Sequence, residues 1–291
     1  MFEYNWHHIA PWGWELSVYF FLIGTAGMAY ALATAPVMFG GRFDALRPLQ
    51  LPGLILAFII VLICGPLLIH DLGQPTRFLY PIIYFHWTSP LSWGSVFLLM
   101  FSACVVLFWW FDRSGNSAPL KPLAIVGSLL GLSMPLYTGN DLMVQTTREV
   151  WATPWIPVLF VVLSVTSGAA ALAVIAMLRK TDDDDASKIL HAVMLSGVAT
   201  TLFLFLGLLL SFLYGSEEMQ LGWNILNDQF AMQVWLLTFV VGILAPLALL
   251  VRPDIGRRPQ ILAAAGVASL IGAYAFREVI LVAGQLPQLY Y

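Results

Sequence analysis

Charged residues are scarce in this sequence: Asp, Glu, Lys and Arg make up 10% of the 291 residues, while 60% are apolar. An ordinary soluble domain carries roughly 25% charged residues, which cover its surface. Because this protein has too few charges for such a surface, we expect lipid to be its solvent. The net charge of −3 also excludes the basic surface that nucleic-acid binding requires, so no nucleic-acid partner is expected.

Metal-binding residues are scarce as well. Cys64 and Cys104 lie inside apolar stretches without a CxxC spacing, which predicts buried thiols rather than a disulfide or an iron–sulfur site. A membrane b-haem usually needs two histidines at matched depth on facing helices. Only His70 and His86 approach this condition, and both lie beside helix-breaking residues. We therefore expect no haem, cluster or other metal, and we expect His191 to be a hydrogen-bonded core or interfacial histidine.

Long hydrophobic stretches are abundant. A helix needs about 20 apolar residues to cross the hydrocarbon core of a bilayer. Short polar breaks separate eight such stretches, and the N-terminus has no basic segment typical of a cleaved signal, so we expect the first stretch to be retained. The predicted fold is an all-α integral membrane protein, a single domain over 1–291, with transmembrane helices near 13–38, 51–70, 90–111, 122–140, 154–178, 189–214, 233–251 and 261–284.

The positive charges predict the orientation of these helices. Ten cations fall in the first, third, fifth and seventh connections: Arg42, Arg47, Arg113, Lys121, Arg179, Lys180, Lys188, Arg252, Arg257 and Arg258. The opposite side carries only Arg77, Arg148 and Arg277. Since cytoplasmic connections are enriched in Lys and Arg, we expect the odd connections to be cytoplasmic and both termini to face outward.

The predicted outer connections, 71–89, 141–153 and 215–232, are long and rich in aromatic residues. Part of them, such as the segment 78–85, is typical of interfacial or re-entrant structure in contact with membrane lipid. An ordinary aromatic belt is the alternative. A belt does not require the Asp, Arg, His and Asn residues that are interleaved here, which favours a functional outer face.

Ionisable residues near the apolar phase suggest sites, since a charge there costs several kcal/mol. Glu15 and Tyr19 are one helical turn apart, and His70-Asp71 ends the second predicted helix. Imidazole changes charge near neutral pH and a carboxylate tunes it, so His70, Asp71 and Glu15 are predicted to handle protons. Arg277 and Glu278 are interpreted as a structural ion pair that joins helices.

The sequence resembles the NrfD/PsrC-type membrane subunits, which are the quinone-interacting anchors of polysulfide reductase and related molybdenum enzymes. The order and spacing of six motifs carry the resemblance: Trp14-Glu15 with Tyr19-Phe20-Phe21, Asp71-Leu72-Gly73-Gln74-Pro75-Thr76-Arg77, Thr88-Ser89-Pro90-Leu91-Ser92-Trp93-Gly94, Tyr137-Thr138-Gly139, Trp151-Ala152-Thr153-Pro154 and Arg277-Glu278-Val279-Ile280.

This resemblance implies two four-helix bundles in a bacterial inner membrane, and a site for menaquinone or ubiquinone without haem. It also implies a four-cluster ferredoxin-like iron–sulfur subunit and a molybdopterin catalytic subunit as partners. The charge distribution places these partners on the periplasmic face. The family's first-helix histidine corresponds to Tyr19 here, and its fourth-helix tyrosine corresponds to Met134, with Tyr137 one turn away.

The resemblance also implies roles for single residues. Tyr19, Tyr137 and Asn140, with Asp141 beside them, are expected at the quinone ring. Arg77 and Arg148 are expected to keep the nearby carboxylates ionised or to pin the outer connections.

Two other functions remain open from the sequence. One is an ion or small-solute transporter that uses the same buried outer-side charges. Gly65-Pro66 and Met134-Pro135 are expected to break the second and fourth helices, and such breaks are typical of transporters. A purely structural anchor, whose polar groups only hold a partner, is the third possibility. The terminal substrate of the complex is not encoded in this sequence.

Overall fold

Eight of the helices are long and apolar enough to cross a membrane, as the sequence predicts. The computed structural model describes residues 12–72, 74–181 and 183–286, which contain helices and connections but no strand. We label the eight long helices α1 (Trp14–Phe39), α2 (Arg47–Asp71), α3 (Pro90–Arg113), α4 (Leu120–Met143), α5 (Trp155–Leu178), α6 (Asp184–Tyr214), α7 (Met232–Leu250) and α8 (Pro259–Ala283).

Local signals explain where several helices begin. Helices α3 and α8 begin at Pro90 and Pro259. Proline lacks a backbone N–H, but the first residues of a helix have no intrahelical acceptor for that group, so proline removes no hydrogen bond there. Asp183 precedes α6 and its carboxylate accepts from the N–H groups of Asp185 at 3.0 Å and Ala186 at 3.1 Å. This cap satisfies two of the free donors at the helix N-terminus.

Prolines inside the helices do not interrupt them. Helix α2 continues through Pro66 to Asp71, and α4 continues through Pro135 to Met143. The expected breaks at Gly65-Pro66 and Met134-Pro135 are therefore wrong. Neighbouring helices in an apolar bundle compensate for the hydrogen bond that each proline removes. The sequence argument for a transporter with discontinuous helices rested on those breaks.

The connections contain short helices that the hydrophobicity pattern does not predict. Residues Gly41–Leu46 and Pro75–Arg77 form 3₁₀ turns, while Tyr80–Ile83 and Pro253–Gly256 form single α-helical turns. Residues Glu217–Gln229 form a 13-residue helix inside the predicted 215–232 connection. The Ser216 hydroxyl caps it by accepting from Met219 N–H at 3.4 Å, and a serine before an acidic first turn is the signal that marks it.

Helix α7 has an unusual backbone. It is π-helical over Met232–Leu244 and returns to α-helix over Ala245–Leu250. A wider helix is rare over such a length. Gly242 within this segment contacts Gly272 of α8 backbone to backbone. The two glycines thus allow α7, with its wider turn, to pack closely on α8.

Helix α1 lies at the centre of the fold. It packs against α2, α4, α5 and α8, and it is the most buried of the eight helices. Its approach to α4 is closest at Gly27 and Gly131, where a Cβ on either residue would overlap the other backbone. Small residues at a crossing let two helices approach closely. This crossing fixes α1 against α4, and the site described below lies at the end of that pair.

Successive long helices alternate in direction, so the connections fall into two sets. One end of the molecule carries the ten cations counted above, and we call it the cation-rich face. The other end contains Trp12, the start of α1 and the ends of α2 and α4, and we call it the N-terminal face.

Candidate functional site

The structure brings most of the predicted site residues together at the N-terminal face. Glu15 and Tyr19 come from the first turns of α1, His70 and Asp71 from the last turn of α2, and Tyr137 and Asp141 from the last turns of α4. We call these six residues the polar cluster. They are separated by up to 126 positions in sequence (Glu15 to Asp141) and meet because α1 packs on both α2 and α4.

Two buried tyrosines form the inner part of the cluster. The hydroxyl of Tyr19 on α1 is hydrogen-bonded to the hydroxyl of Tyr137 on α4. Tyr19 is 1% exposed and Tyr137 is 9% exposed, so this pair is removed from water. Cys64 of α2 and Asp141 of α4 lie close to both phenols. A pair of phenols can donate to, or accept from, a third polar group placed between them.

A glycine on α3 makes room for Tyr137. A Cβ at Gly94 would overlap the Tyr137 ring. The phenol of Tyr137 therefore lies directly against the α3 backbone. The sequence motif that contains Gly94 carries the family resemblance, but its contact with Tyr137 was not predicted.

An acid and an imidazole connect the cluster to the surface. Glu15 Oε1 lies 3.3 Å from Nδ1 of His70, and the Glu15 side chain is 15% exposed while that of His70 is 75% exposed. This contact pairs a largely buried carboxylate with a largely exposed imidazole at the end of α2. A proton on such a pair can move between the interior and the surface.

Asp71 completes the surface part of the cluster. It is about half-buried, faces the backbone N–H of Gly13, and lies near Glu15 and His70. Glu15 Oε2 also lies close to Gly13, since a Cβ there would require the end of the Glu15 side chain to move. The start of α1 is thus held between two carboxylates. The predicted grouping of His70, Asp71 and Glu15 is present in the structure, whereas their predicted role in proton handling remains a proposal.

Asn140 and Asp141 occupy the last turn of α4, and both are partly buried. Asp141 lies one turn beyond Tyr137 on the same helix face. The role of Asn140 and Asp141 at the quinone ring stays a prediction. Met134, which the resemblance sets in correspondence with a family tyrosine, is fully buried in the core.

The two arginines of the N-terminal face lie away from the acids. Arg77 is exposed and its guanidinium carbon lies 5.6 Å from the centre of the Tyr80 ring. Arg148 donates to the backbone oxygen of Gly284 at 2.7 Å and lies over the Trp151 ring. Among the residues that the structure describes, neither arginine has a carboxylate within 4.0 Å. Arg148 thus links the connection between α4 and α5 to the end of α8.

Arg277 does not form the predicted ion pair with Glu278. Its guanidinium is 0% exposed and donates to the backbone oxygens of Ala273 at 2.8 Å and Phe160 at 2.9 Å. It also donates to the Ser164 hydroxyl at 2.7 Å. Neighbouring residues on an α-helix point about 100° apart, which directs Glu278 to another side. Arg277 therefore joins α8 to α5 through neutral acceptors.

An aromatic cluster next to the polar cluster was not predicted. Trp12 and Trp151 stack with ring centres 5.2 Å apart, and the Trp151 indole donates to the backbone oxygen of Ile280 at 2.6 Å. The Gln285 amide donates to the backbone oxygen of Trp12 at 2.8 Å and accepts from its N–H at 3.2 Å. These contacts tie the start of α1 to the end of α8, and long-range pairing of this kind leaves no local signal in the sequence.

The remaining candidate ligands are accounted for by packing. Cys64 and Cys104 are buried free thiols, as predicted. His191 is buried and its Nε2 lies 2.9 Å from the backbone oxygen of Leu250, which confirms the prediction of a hydrogen-bonded core histidine. In the described part of the chain, His, Cys, Asp and Glu side chains form no group of three or more suited to a metal.

The comparison with known proteins supports the resemblance found in the motifs. The profile of the family described as "Polysulphide reductase, NrfD" matches residues 4–287. Protein NrfD of Escherichia coli (strain K12) is 26% identical over 94% of this chain and 95% of that protein. A polysulfide reductase chain of Wolinella succinogenes is 25% identical over 59% of this chain and 60% of that protein. A tetrathionate reductase subunit of Salmonella typhimurium is 27% identical over 58% of this chain and 49% of that protein.

Proposed function

The chain belongs to the NrfD family of polysulphide reductase membrane proteins, and on that premise we propose that it is the quinone-interacting anchor of a respiratory oxidoreductase. In this role it exchanges electrons between membrane menaquinone or ubiquinone and an iron–sulfur partner, with uptake or release of protons. The observation that carries the proposal is the buried Tyr19–Tyr137 hydroxyl pair, set one helical turn below the acids of the polar cluster.

The residues present fit a quinone substrate. A quinone ring needs a hydrogen-bond partner at each of its two oxygens, and it needs an apolar surround for the rest of the ring. Two phenols on facing helices supply the polar atoms, and Asn140, about one turn nearer the end of α4, is a further donor. Met134 and Cys64, both buried, supply apolar surface below and beside them. Binding requires the hydroxyls of Tyr19 and Tyr137 to exchange their mutual bond for bonds to the ring oxygens.

Protons move along the surface part of the polar cluster, which Glu15, His70 and Asp71 form. Oxidation of a quinol releases two electrons and two protons, and reduction of a quinone takes up both. Glu15 receives or supplies a proton on the side of the cluster that faces the quinone site. His70, 3.3 Å away, passes this proton to water. Asp71 and Asp141 act as further carboxylates along the same boundary. General acid–base groups at such positions accelerate proton-coupled steps by about 10²- to 10⁴-fold.

The electrons leave or enter through a partner. Several relatives are named as one chain or subunit of a reductase, including those for polysulfide, selenate and tetrathionate. We propose a four-cluster ferredoxin-like iron–sulfur subunit on the N-terminal face and a molybdopterin subunit beyond it. The protein then has no turnover without its partners, because the electrons have no acceptor in the apolar bundle.

The placement in the cell follows from the charges. With ten cations on one face, the positive-inside rule puts that face in the cytoplasm. The polar cluster and both termini then face the periplasm of a bacterial inner membrane. We further propose that α1–α4 and α5–α8 act as two four-helix bundles, with the quinone site in the first bundle, and that the exposed aromatic segment 78–85 lies at the lipid or partner interface.

The function is tested in the assembled complex in proteoliposomes. With menaquinol or ubiquinol as donor and an artificial acceptor at the partner, we expect turnover that depends on this chain. Solute or ion uptake by the isolated chain, without quinol-dependent electron transfer in the complex, would contradict the proposal and favour a transporter. Electron transfer that proceeds equally well after removal of the polar cluster would favour a purely structural anchor.

A further inference from the structure

A groove of about 370 Å³ lies between α2 and α3, toward the cation-rich face and away from the polar cluster. Helix α2 packs mainly on α1, and α3 packs mainly on α4, so the two helices make few contacts with each other. Apolar side chains from Leu51 to Phe58 on α2 and from Val105 to Trp109 on α3 line the groove, and Arg113 closes its end. The groove is of the size that binds an extended small molecule.

The groove opens sideways to the lipid. Ile55, Phe58, Val106 and Trp109 are each between 41% and 45% exposed, so one side of each ring or aliphatic group faces the hydrocarbon. The stretch from Leu51 to Phe58 covers about 10 Å along α2, at 1.5 Å per residue. An occupant therefore reaches the groove within the membrane, and its apolar part lies parallel to the two helices.

A cation without a carboxylate partner in the described part of the protein lies at the mouth of the groove. Arg113 is exposed, and its guanidinium carbon lies 5.9 Å from the centre of the Trp109 ring. Across the described ranges it has no carboxylate within 4.0 Å. The adjacent Asp112 accepts from the Gln50 amide at 3.2 Å, and the nearby Arg47 is paired with Asp44 at 3.0 Å. Arg113 is thus a cation at this end of the groove without a carboxylate partner, while the neighbouring Asp112 is held by a neutral amide.

We propose that the groove binds one anionic glycerophospholipid, with an acyl tail between α2 and α3 and the phosphate on Arg113. A guanidinium forms two parallel hydrogen bonds to phosphate oxygens, which fixes the headgroup at the groove mouth. The Trp109 ring lies one helical turn before Arg113, and indoles are enriched at the membrane interface. Basic pockets between helices on a cation-rich membrane face are suited to anionic headgroups.

Other molecules complement only part of the groove, either its apolar lining or the charge of Arg113. A quinone tail fills the apolar part but leaves the guanidinium without an anion. Free phosphate pairs with Arg113 but leaves the groove to another molecule. A zwitterionic lipid brings a phosphate together with a cationic amine, which weakens its attraction to an arginine. The proposal does not depend on the quinone function, because the groove lies at the opposite end of the bundle.

The full-length protein, purified in detergent, is titrated with phosphatidylglycerol or phosphatidylcholine, and bound lipids are counted by native mass spectrometry. We expect one phosphatidylglycerol to bind about fivefold more tightly than phosphatidylcholine, as one cation near an anionic headgroup predicts. Arg113→Gln should remove this preference. Val106→Trp, which fills the groove, should weaken both lipids. Arg179→Gln, on the same face but outside the groove, is the matched control and should leave the preference intact.

Three results would overturn the proposal. The first is equal affinity of the wild-type protein for the two lipids. The second is the same loss of preference in Arg179→Gln as in Arg113→Gln, which would reflect the general charge of that face. The third is displacement of the bound lipid by excess short-chain quinone, which would assign the groove to quinone. The first and third outcomes use only the wild-type protein, so the test stands even if a variant fails to fold.

Discussion

The hydroxyl groups of Tyr19 and Tyr137 meet at the N-terminal face, although 118 residues separate them in the sequence. Each tyrosine has a carboxylate one turn nearer the membrane surface on its own helix: Glu15 on α1 and Asp141 on α4. Four residues correspond to about 6 Å along an α-helix. The two helices therefore present phenols at one depth and acids one turn above them, an order that suits the proposed proton-coupled reaction of a quinone.

Removal of one phenol should impair quinone turnover. In the assembled complex, we expect Tyr19→Phe or Tyr137→Phe to lower the rate of quinol oxidation or quinone reduction by about 10- to 100-fold, which corresponds to about 1.4 to 2.7 kcal/mol of lost hydrogen bonding. The double variant should cost less than the sum of the two, because the pair acts as one unit. Steady-state rates at saturating quinone measure this.

Tyr30→Phe is the matched control for these variants. Tyr30 is also buried on α1, but its hydroxyl donates to the backbone oxygen of Leu123 at 2.9 Å, away from the polar cluster. Its loss should reduce stability by about 1 kcal/mol and leave the rate unchanged. A rate loss in Tyr30→Phe as large as in Tyr137→Phe would show that buried phenols affect only the fold.

The carboxylates should govern proton transfer. We expect Asp71→Asn and Glu15→Gln each to slow quinone turnover by at least about tenfold, with a larger solvent isotope effect, because proton exchange with water becomes slower. Asp254→Asn, an exposed acid in the connection between α7 and α8, should change neither quantity. Unchanged turnover in both Asp71→Asn and Glu15→Gln would remove the proton relay from the mechanism.

The close contact between Gly94 and the Tyr137 ring offers a test that changes no polar group. Gly94→Ala places a methyl group against the Tyr137 ring and should shift the phenol, so we expect a higher KM for quinone and a lower rate. Gly65→Ala on α2 meets no atom within 4 Å and should retain wild-type kinetics. Equal kinetics for the two alanine variants would mean that the position of Tyr137 is not important for the reaction.

The buried guanidinium should be a major source of stability. Arg277→Ala removes two charge-assisted hydrogen bonds to α5, each worth about 1.5 kcal/mol or more, and leaves a cavity. We expect a clear drop in the thermal midpoint, Tm, of the purified protein, and a smaller drop for Ser164→Ala. Glu278→Gln should leave Tm unchanged, since Glu278 is not the partner. A loss of Tm in Glu278→Gln that matches Arg277→Ala would restore the ion pair that the sequence suggested.

The hydrophobic stretches allowed the eight long helices to be predicted within a few residues, because membrane length and apolar composition determine them directly. The proximity of Glu15, His70 and Asp71 was also predictable, since alternating spans place all three at one end. The partner of Tyr19 was not, because whether Tyr137 or Asn140 meets it depends on the rotation of α4 about its axis. That rotation is set by Gly27, Gly131 and Gly94, whose role is visible only in three dimensions.

The arginines show a second limit of prediction from the sequence. Charge alone suggested acidic partners for Arg77, Arg148 and Arg277, whereas the structure gives Arg148 and Arg277 backbone or hydroxyl acceptors. The C-terminal end of a helix offers free carbonyl oxygens, as Gly284 does for Arg148, and a carbonyl inside a helix can accept a second bond, as Phe160 does for Arg277. A sequence does not show which of these oxygens a long side chain reaches. The helix Glu217–Gln229 was missed for a different reason, because its mixed composition carries no membrane signal.

Bound quinone in the purified protein tests the central claim most directly. Lipid extracts of the wild-type protein and of Tyr30→Phe, isolated from membranes, should contain menaquinone or ubiquinone at close to one molecule per polypeptide. The double variant Tyr19→Phe, Tyr137→Phe should contain at least about tenfold less at the same yield of folded protein. Absence of quinone from the wild-type extract, or an equal amount in the double variant, would contradict a quinone site at the Tyr19–Tyr137 pair.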